Sequence, residues 1–122
     1  LNRIHSVVTI EELKELIREA SEVEIHDLVY EYVTHLTQAT REHPMIQLGV
    51  SPRGALAVCR MAKAYAYLRG RDFVIPEDVA QVFGDVCAHR LTLSPKARMM
   101  EETPENLIWG ILNSVKMPVI KA

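Results

Sequence analysis

The chain has 122 residues, 48% of them hydrophobic and 25% charged, which is one globular domain and excludes a disordered chain. No stretch approaches the ~20 consecutive apolar residues of a membrane span. Fourteen Lys and Arg against sixteen Asp and Glu leave a net charge of -2, which argues against a domain built to neutralise nucleic-acid phosphates.

Taken in chain order, start signals, apolar period and stop signals predict five helices. Thr9-Ile10-Glu11-Glu12 is a capping box, with Thr9 as N-cap and Glu12 reaching back to its N–H. Ile10, Leu13, Leu16, Ile17 and Ala20 then share one face, and the helix fades between Ser21 and Glu24. A second helix runs from about Ile25 to Glu42, with Leu28, Tyr32, Leu36 and Ala39 at helical spacing beside Val29 and Val33. Pro44 disfavours helix at His43, and His43 to Val50 reads as a connector. Ser51-Pro52 opens a third helix, alanine-rich and apolar on most sides, that ends at Gly70 as a left-handed cap. It reads as the central helix, with Arg53, Arg60 and Lys63 on one side.

Phe73-Val74-Ile75 is too short for an independent strand. Pro76-Glu77-Asp78 opens a fourth helix whose buried stripe is Val79, Val82, Phe83, Val86 and Cys87. Leu91 to Glu102 reads as irregular, with a short turn at Ser94-Pro95. Thr103-Pro104-Glu105 caps the last helix, where Leu107, Ile108, Ile111, Leu112 and Val115 face inward. The sum is an all-α, small orthogonal helical bundle of about five helices, one domain over residues 1–122.

Catalytic and metal chemistry find little purchase. The histidines, His5, His26, His35, His43 and His89, form no His-x-x-x-His pair, and no Cys-x-x-Cys occurs, so no metal site is expected. Cys59 and Cys87 sit in apolar helical patterns and read as reduced structural thiols. With no secretory signal pattern at the N-terminus, a cytoplasmic location is expected. The start at Leu1, not a methionine, reads as a processed chain or a piece of a longer one.

One segment carries phosphate logic. Gly49-Val50-Ser51-Pro52-Arg53-Gly54 half-matches a P-loop, but Ala55 and Leu56 stand where Lys and Ser/Thr are required. Ser51 as N-cap and Pro52 at the first helical position place Arg53 at the second. There a guanidinium stands beside the free N–H groups and partial positive charge of a helix N-terminus, a combination that favours anions. The plainer reading is a solvated arginine that tolerates a small dipole penalty.

This segment, its alanine-rich helix, Leu68-Arg69-Gly70-Arg71-Asp72-Phe73-Val74-Ile75-Pro76-Glu77-Asp78-Val79 and His89-Arg90-Leu91 together resemble the C-terminal helical lid of MoxR-type AAA+ ATPases. Thr9 to Leu13 and Thr40-Arg41-Glu42-His43-Pro44 resemble the family as well, so the likeness covers nearly the whole chain. It implies that Arg53 matches the family's sensor-2 arginine, which reaches the γ-phosphate when the lid closes over nucleotide. Ser51, Pro52 and Gly54 would complete that nucleotide-binding block. Gly54 departs from the alanine usual there. Arg71, Asp72 and Arg90 also match family positions, though each has a structural reading, organising a turn or holding a helix end.

The resemblance further implies ATP and Mg²⁺ as cofactors of a longer parent, none held tightly by this chain. Walker motifs would lie in an AAA+ core preceding Leu1. It implies as partners that core, neighbouring subunits of a ring, often a hexamer, and von Willebrand factor A-domain proteins in chaperone-like remodelling. Neither nucleic acid nor membrane is among the expected partners. Without the nucleotide role, the alternative is a helical protein-interaction module. It rests on the acidic first third, where Glu11, Glu12, Glu15, Glu19, Glu22, Glu24, Asp27 and Glu31 outnumber Arg3, Lys14 and Arg18. A helix-turn-helix DNA binder using Arg60, Lys63, Arg69 and Arg71 is disfavoured by the long Gly70–Ile75 connection and the negative charge. Apolar surface meant for a core domain is expected to be partly exposed.

Overall fold

The computed structural model describes residues 9–120, so Leu1, Arg3 and His5 lie outside the described residues. In chain order its elements are α1 (Ile10–Ser21), β1 (Glu24–Ile25), α2 (Asp27–Glu42), β2 (Ile46–Leu48), α3 (Pro52–Leu68), β3 (Phe73–Val74) and α4 (Pro76–Cys87). A 3₁₀ turn (Ala88–Arg90), β4 (Thr92–Leu93), α5 (Pro95–Met99) and α6 (Pro104–Ser114) follow. The mostly helical bundle expected from the sequence is there, with six helices among the described residues instead of five.

Helix starts follow the cap chemistry. Thr9 Oγ1 accepts from the Glu12 N–H at 3.1 Å, and the Glu12 carboxylate accepts from the Thr9 N–H at 2.9 Å. Ser51 and Thr103 accept from Gly54 and Asn106 at 3.2 and 3.1 Å. Two starts differ from the expectation. His26 Nδ1 accepts from the Leu28 N–H at 3.0 Å, which makes His26 the N-cap and moves the start of α2 from Ile25 to Asp27. Ser94 Oγ accepts from the Ala97 N–H at 3.1 Å, and with Pro95 at the first position it starts α5 inside the stretch read as irregular.

The connectors also carry short strands. β1 pairs in parallel with β3, Glu24 opposite Phe73 and Ile25 opposite Val74. β2 pairs antiparallel with β4 across a bulge, Ile46 opposite Leu93 and Leu48 opposite Thr92. Thus Phe73–Val74 is no independent strand, as expected, but it does pair. His43 to Val50 is more than a connector. These ladders tie the loops before α2 and α3 to the loops that flank α4.

The core forms where α3 packs on α4, with α2 and α6 closing the sides. Val58, Ala62 and Ala66 are fully buried on α3, at spacings of four, and their small side chains admit close approach of α4. The α4 stripe is buried as read, and Tyr32, Leu36 and Ile108 fill the space between. On α2 the inward face is Val29, Tyr32, Val33 and Leu36, whereas Leu28 is 37% exposed. α1 differs from the others. It has the apolar face the spacing predicts, yet no residue of it is buried, and Ile10 and Ile17 are 70% and 63% exposed. Tyr67 bonds the Glu19 carboxylate, and Lys63 Nζ donates to Ser21 O at 3.2 Å, so α1 is held against α3 by its polar edge. No helix among the described residues is long and apolar enough to cross a membrane.

Both cysteines are free thiols, Cys87 buried and Cys59 half-buried. Burial pushes the Cys87 thiol up to about 11 and raises that of Cys59, against a small opposing effect of Lys63. A raised thiol pKa means the unreactive neutral form at pH 8. In the folded protein at pH 8, Ellman's reagent is expected to leave Cys87 unlabelled and to modify Cys59 slowly. Both should react within minutes in guanidinium. Rapid labelling of Cys87 without denaturant would contradict this account.

Candidate functional site

The α3 start is built from the α2 side. Thr40 lies in the last turn of α2 and is fully buried. Its hydroxyl donates to Thr37 O at 2.6 Å and accepts from the Val50 N–H at 2.9 Å, which satisfies both buried groups. Gly49 lies directly on the α2 backbone: a Cβ there would stand 2.7–2.8 Å from backbone atoms of Thr40 and Arg41. Glycine is required here by contact, not by dihedral angle. Val50 is then 1% exposed, pinned under the first turn of α3.

From that anchor the chain turns out. Ser51 caps α3, Pro52 occupies the first position, and Arg53 at the second is exposed. No hydrogen bond or ion pair ties its guanidinium to any described residue. Gly54 is buried under Val50, whose Cγ1 would be 2.8 Å from a Cβ at that position, and the Arg90 side chain lies across it at 3.5 Å. This gives Gly54 a packing role. The turn also narrows the backbone's part in anion binding. Pro52 has no N–H, the Gly54 N–H is taken by Ser51 Oγ, and the Ala55 N–H by Ser51 O at 2.9 Å. The first turn therefore keeps only the Arg53 N–H and guanidinium for an outside acceptor.

Arg71, Asp72 and Arg90 have structural settings of their own. Arg71 grips Asp78 with both terminal nitrogens, at 2.6 and 2.7 Å, and also donates to Phe73 O at 3.3 Å. Asp78 is 1% exposed and accepts from the Ile75 N–H at 2.8 Å, so the pair locks the β3 turn onto the first turn of α4. Asp72 uses its backbone, its carbonyl accepting from Glu24 N–H at 3.0 Å. Arg90 Nε donates to Val86 O at 2.9 Å, at the negative end of α4. The structural readings of Arg71 and Arg90 thus have visible side-chain geometry and that of Asp72 rests on its backbone, while the Arg53 guanidinium, unlike those of Arg71 and Arg90, has no partner among the described residues.

Replacing Arg71 with methionine keeps the stem but strands the Asp78 carboxylate. The expected cost is about 1–2 kcal/mol, below that of a fully buried pair, because water reaches Arg71 and the Ile75 N–H remains. Asp78→Ala should cost about as much: the freed Arg71 can turn to solvent, but the Ile75 N–H loses its acceptor. Equal melting temperatures for Arg71→Met and the parent chain would refute the lock.

Thr40 and Gly49 escape sequence reasoning as site residues. Their role depends on how closely the α3 entry approaches α2, and the only trace in the sequence is a pair of threonines, Thr37 and Thr40, continuing the apolar face of α2.

Comparison with known proteins gives the family. Residues 38–108 match the AAA lid domain family model. The chain is 38% identical to the uncharacterised protein YeaC of Bacillus subtilis over 98% of its own length and 37% of YeaC. It is 36% identical to Chaperone MoxR1 of Mycobacterium tuberculosis over 80% of its length and 28% of that protein. A crystal structure of a candidate ATPase from Cytophaga hutchinsonii superposes with a TM-score of 0.89 at 29% identity, covering 98% of this chain and 39% of that one. The chain thus spans well under half the length of each of these proteins.

Proposed function

The chain belongs to the AAA lid domain family, in its MoxR-type AAA+ branch, and from that premise we propose that it closes over ATP held by an AAA+ core, with Arg53 as the sensor-2 arginine. The observation that carries this reading is an exposed, unpartnered guanidinium on the first turn of α3, which the buried Thr40–Val50 bond and the Gly49 contact hold in place. Arginine at a helix N-terminus works against the dipole by ~0.3–1 kcal/mol. A residue that the fold disfavours, on a turn the fold goes to some length to fix, is placed for a ligand.

The fit to a triphosphate is chemical. Two phosphate oxygens accept parallel N–H bonds from a planar guanidinium, and the Arg53 backbone N–H is a further donor at the same helix end. Ser51, Pro52 and Gly54 contribute by shaping that turn, not by offering further donors. Mg²⁺ needs oxygen ligands and belongs in this proposal with the core. ATP supplies the γ-phosphate charge that ties lid to core while it is intact. Arg53 holds that charge, the rigid first turn of α3 transmits its position to the bundle, and loss of the contact frees the lid to rotate.

In the same proposal the parent protein is a Mg²⁺-dependent ATP hydrolase that forms rings, of six subunits, in the cytoplasm. Its work is chaperone-like remodelling, with von Willebrand factor A-domain proteins as partners; the name of the Mycobacterium tuberculosis relative supports the chaperone part. The unburied apolar face of α1 favours a second reading, a protein-contact module with no nucleotide role. Steady-state ATP hydrolysis by the full-length protein carrying Arg53→Ala separates the two: a large loss supports the sensor, and unchanged turnover supports the contact module.

A further inference from the structure

Away from Arg53, α4 and α6 flank an open groove of about 520 Å³. Gly84, Asp85 and His89 line one side, Glu105 and Trp109 the other, with Ile108 on its floor. We propose that this groove docks a basic amphipathic helix of a partner protein, its apolar side chain over Gly84 and Ile108 and its lysines or arginines on Asp85, Glu105 and Trp109. The proposal stands independently of the ATP reading.

Three local choices there work against the fold. Gly84 is inside α4, where glycine lowers helix stability relative to alanine. The fold does not need it: a Cβ would meet only Ile108 Cγ2, at an ordinary 3.9 Å. Its missing side chain therefore serves the groove. Asp85 is close to the C-terminal end of α4, the end whose partial charge disfavours carboxylates. It is exposed, and no ion pair among the described residues relieves it; the same holds for Glu105. Trp109 is 64% exposed, although the residue before it is core. Conflicts between local preference and fold that gather in one place mark function.

Charge then selects the occupant. Two unpaired carboxylates stand on opposite sides of an apolar floor, and among the lining residues the one basic side chain is His89. A cation from outside would be paired by Asp85 and Glu105 and could lie on the face of Trp109. Walls built from α4 and α6 around an apolar floor suit a third helix, whose apolar residues at spacings of three and four reach the floor together. An acidic helix such as α1, with Glu11, Glu12, Glu15 and Glu19, is the wrong charge.

Trp109 is the chain's only tryptophan, so its emission reports on the groove directly. The probe is a synthetic Leu/Lys amphipathic helix titrated into this chain, with a Leu/Glu peptide of the same pattern as counterpart. A saturable blue shift of Trp109 is expected with the Lys peptide and none with the Glu peptide. Asp85→Lys should weaken binding at least tenfold. Gly84→Leu should abolish it by filling the floor. Gly84→Ala should fold, melt higher than the parent and bind more weakly, and it keeps the test open if the leucine variant does not fold. No saturable shift, equal binding of both peptides, or binding indifferent to both Gly84 variants would overturn the proposal, as would a Trp109 shift that appears only on self-association of the chain.

Discussion

Arg53→Ala in the full-length protein is expected to cut ATP turnover about 10- to 100-fold while leaving the lid as stable as before. The rate figure follows from the interaction at stake: a hydrogen bond to a charged group contributes ~1.5–3 kcal/mol, and each ~1.4 kcal/mol is a decade. The stability figure follows from the position. Arg53 is exposed, touches no partner in the fold, and stands at the helix end that disfavours cations. Its loss should shift lid stability by no more than ~0.5 kcal/mol, and in the stabilising direction. Arg53→Lys refines the assignment. A lysine keeps the charge but loses the planar fork, so partial recovery indicates that charge alone does part of the work, and none indicates a bidentate contact. Turnover and nucleotide affinity are to be measured together. Loss of kcat alone places the arginine in the transition state, and a matching loss of affinity places it in ground-state binding. Full activity of Arg53→Ala removes the sensor role.

The sequence makes Arg53 conspicuous because its setting is local. Ser51 and Pro52 specify a helix start by their own chemistry, and that fixes the position of the next residue without knowledge of the tertiary fold. The same holds for Thr9, Pro76, Gly70 and Thr103, and each of these ends stands where the sequence puts it. What escapes is non-local. The β1–β3 and β2–β4 ladders are two or three residues long and join segments almost fifty residues apart, so no period exists to reveal them. α5 is a five-residue helix, shorter than two turns, and its Ser94-Pro95 start reads equally as a turn. α1 shows the converse. Its spacing gives a clear apolar face, but period says only that a face exists, not that this chain covers it.

Arg71 shows how a structural role can imitate a functional one. A charged residue in a glycine-containing turn, beside other arginines, has the composition of an anion site. Its partner Asp78 is seven residues on, inside the next helix, and only the turn's path brings the two into bidentate contact. Arg53 and Arg71 are alike in the sequence and opposite in the fold, one free and one locked. Burial of the opposing carboxylate is what separates them.

Gly49 is where the largest stability effect is expected. Gly49→Ala places a methyl 2.7–2.8 Å from three backbone atoms of Thr40 and Arg41, and no side chain can move aside to relieve it. The α3 entry must instead lift off α2, straining or breaking the Thr40–Val50 bond at 2.9 Å. Overpacking costs ~1–3 kcal/mol and sometimes more. A clash with helix backbone plus a strained buried hydrogen bond puts this variant at the upper end, about 3 kcal/mol, or roughly 10 °C in melting temperature. Gly54→Ala is the control. Its close neighbour is one methyl of the buried Val50 and not helix backbone, and alanine gains ~0.5–1 kcal/mol of helix propensity over glycine, so the net loss should be smaller than at Gly49. Because Gly49 carries no chemistry, its second readout is informative. If the anchor positions Arg53, full-length Gly49→Ala protein assayed well below its melting temperature should lose ATP turnover although Arg53 is intact, and Gly54→Ala should keep it. A Gly49→Ala lid that melts with the parent would show that the α3 entry is not held by this contact, and the rigid placement of Arg53 would then lack its cause.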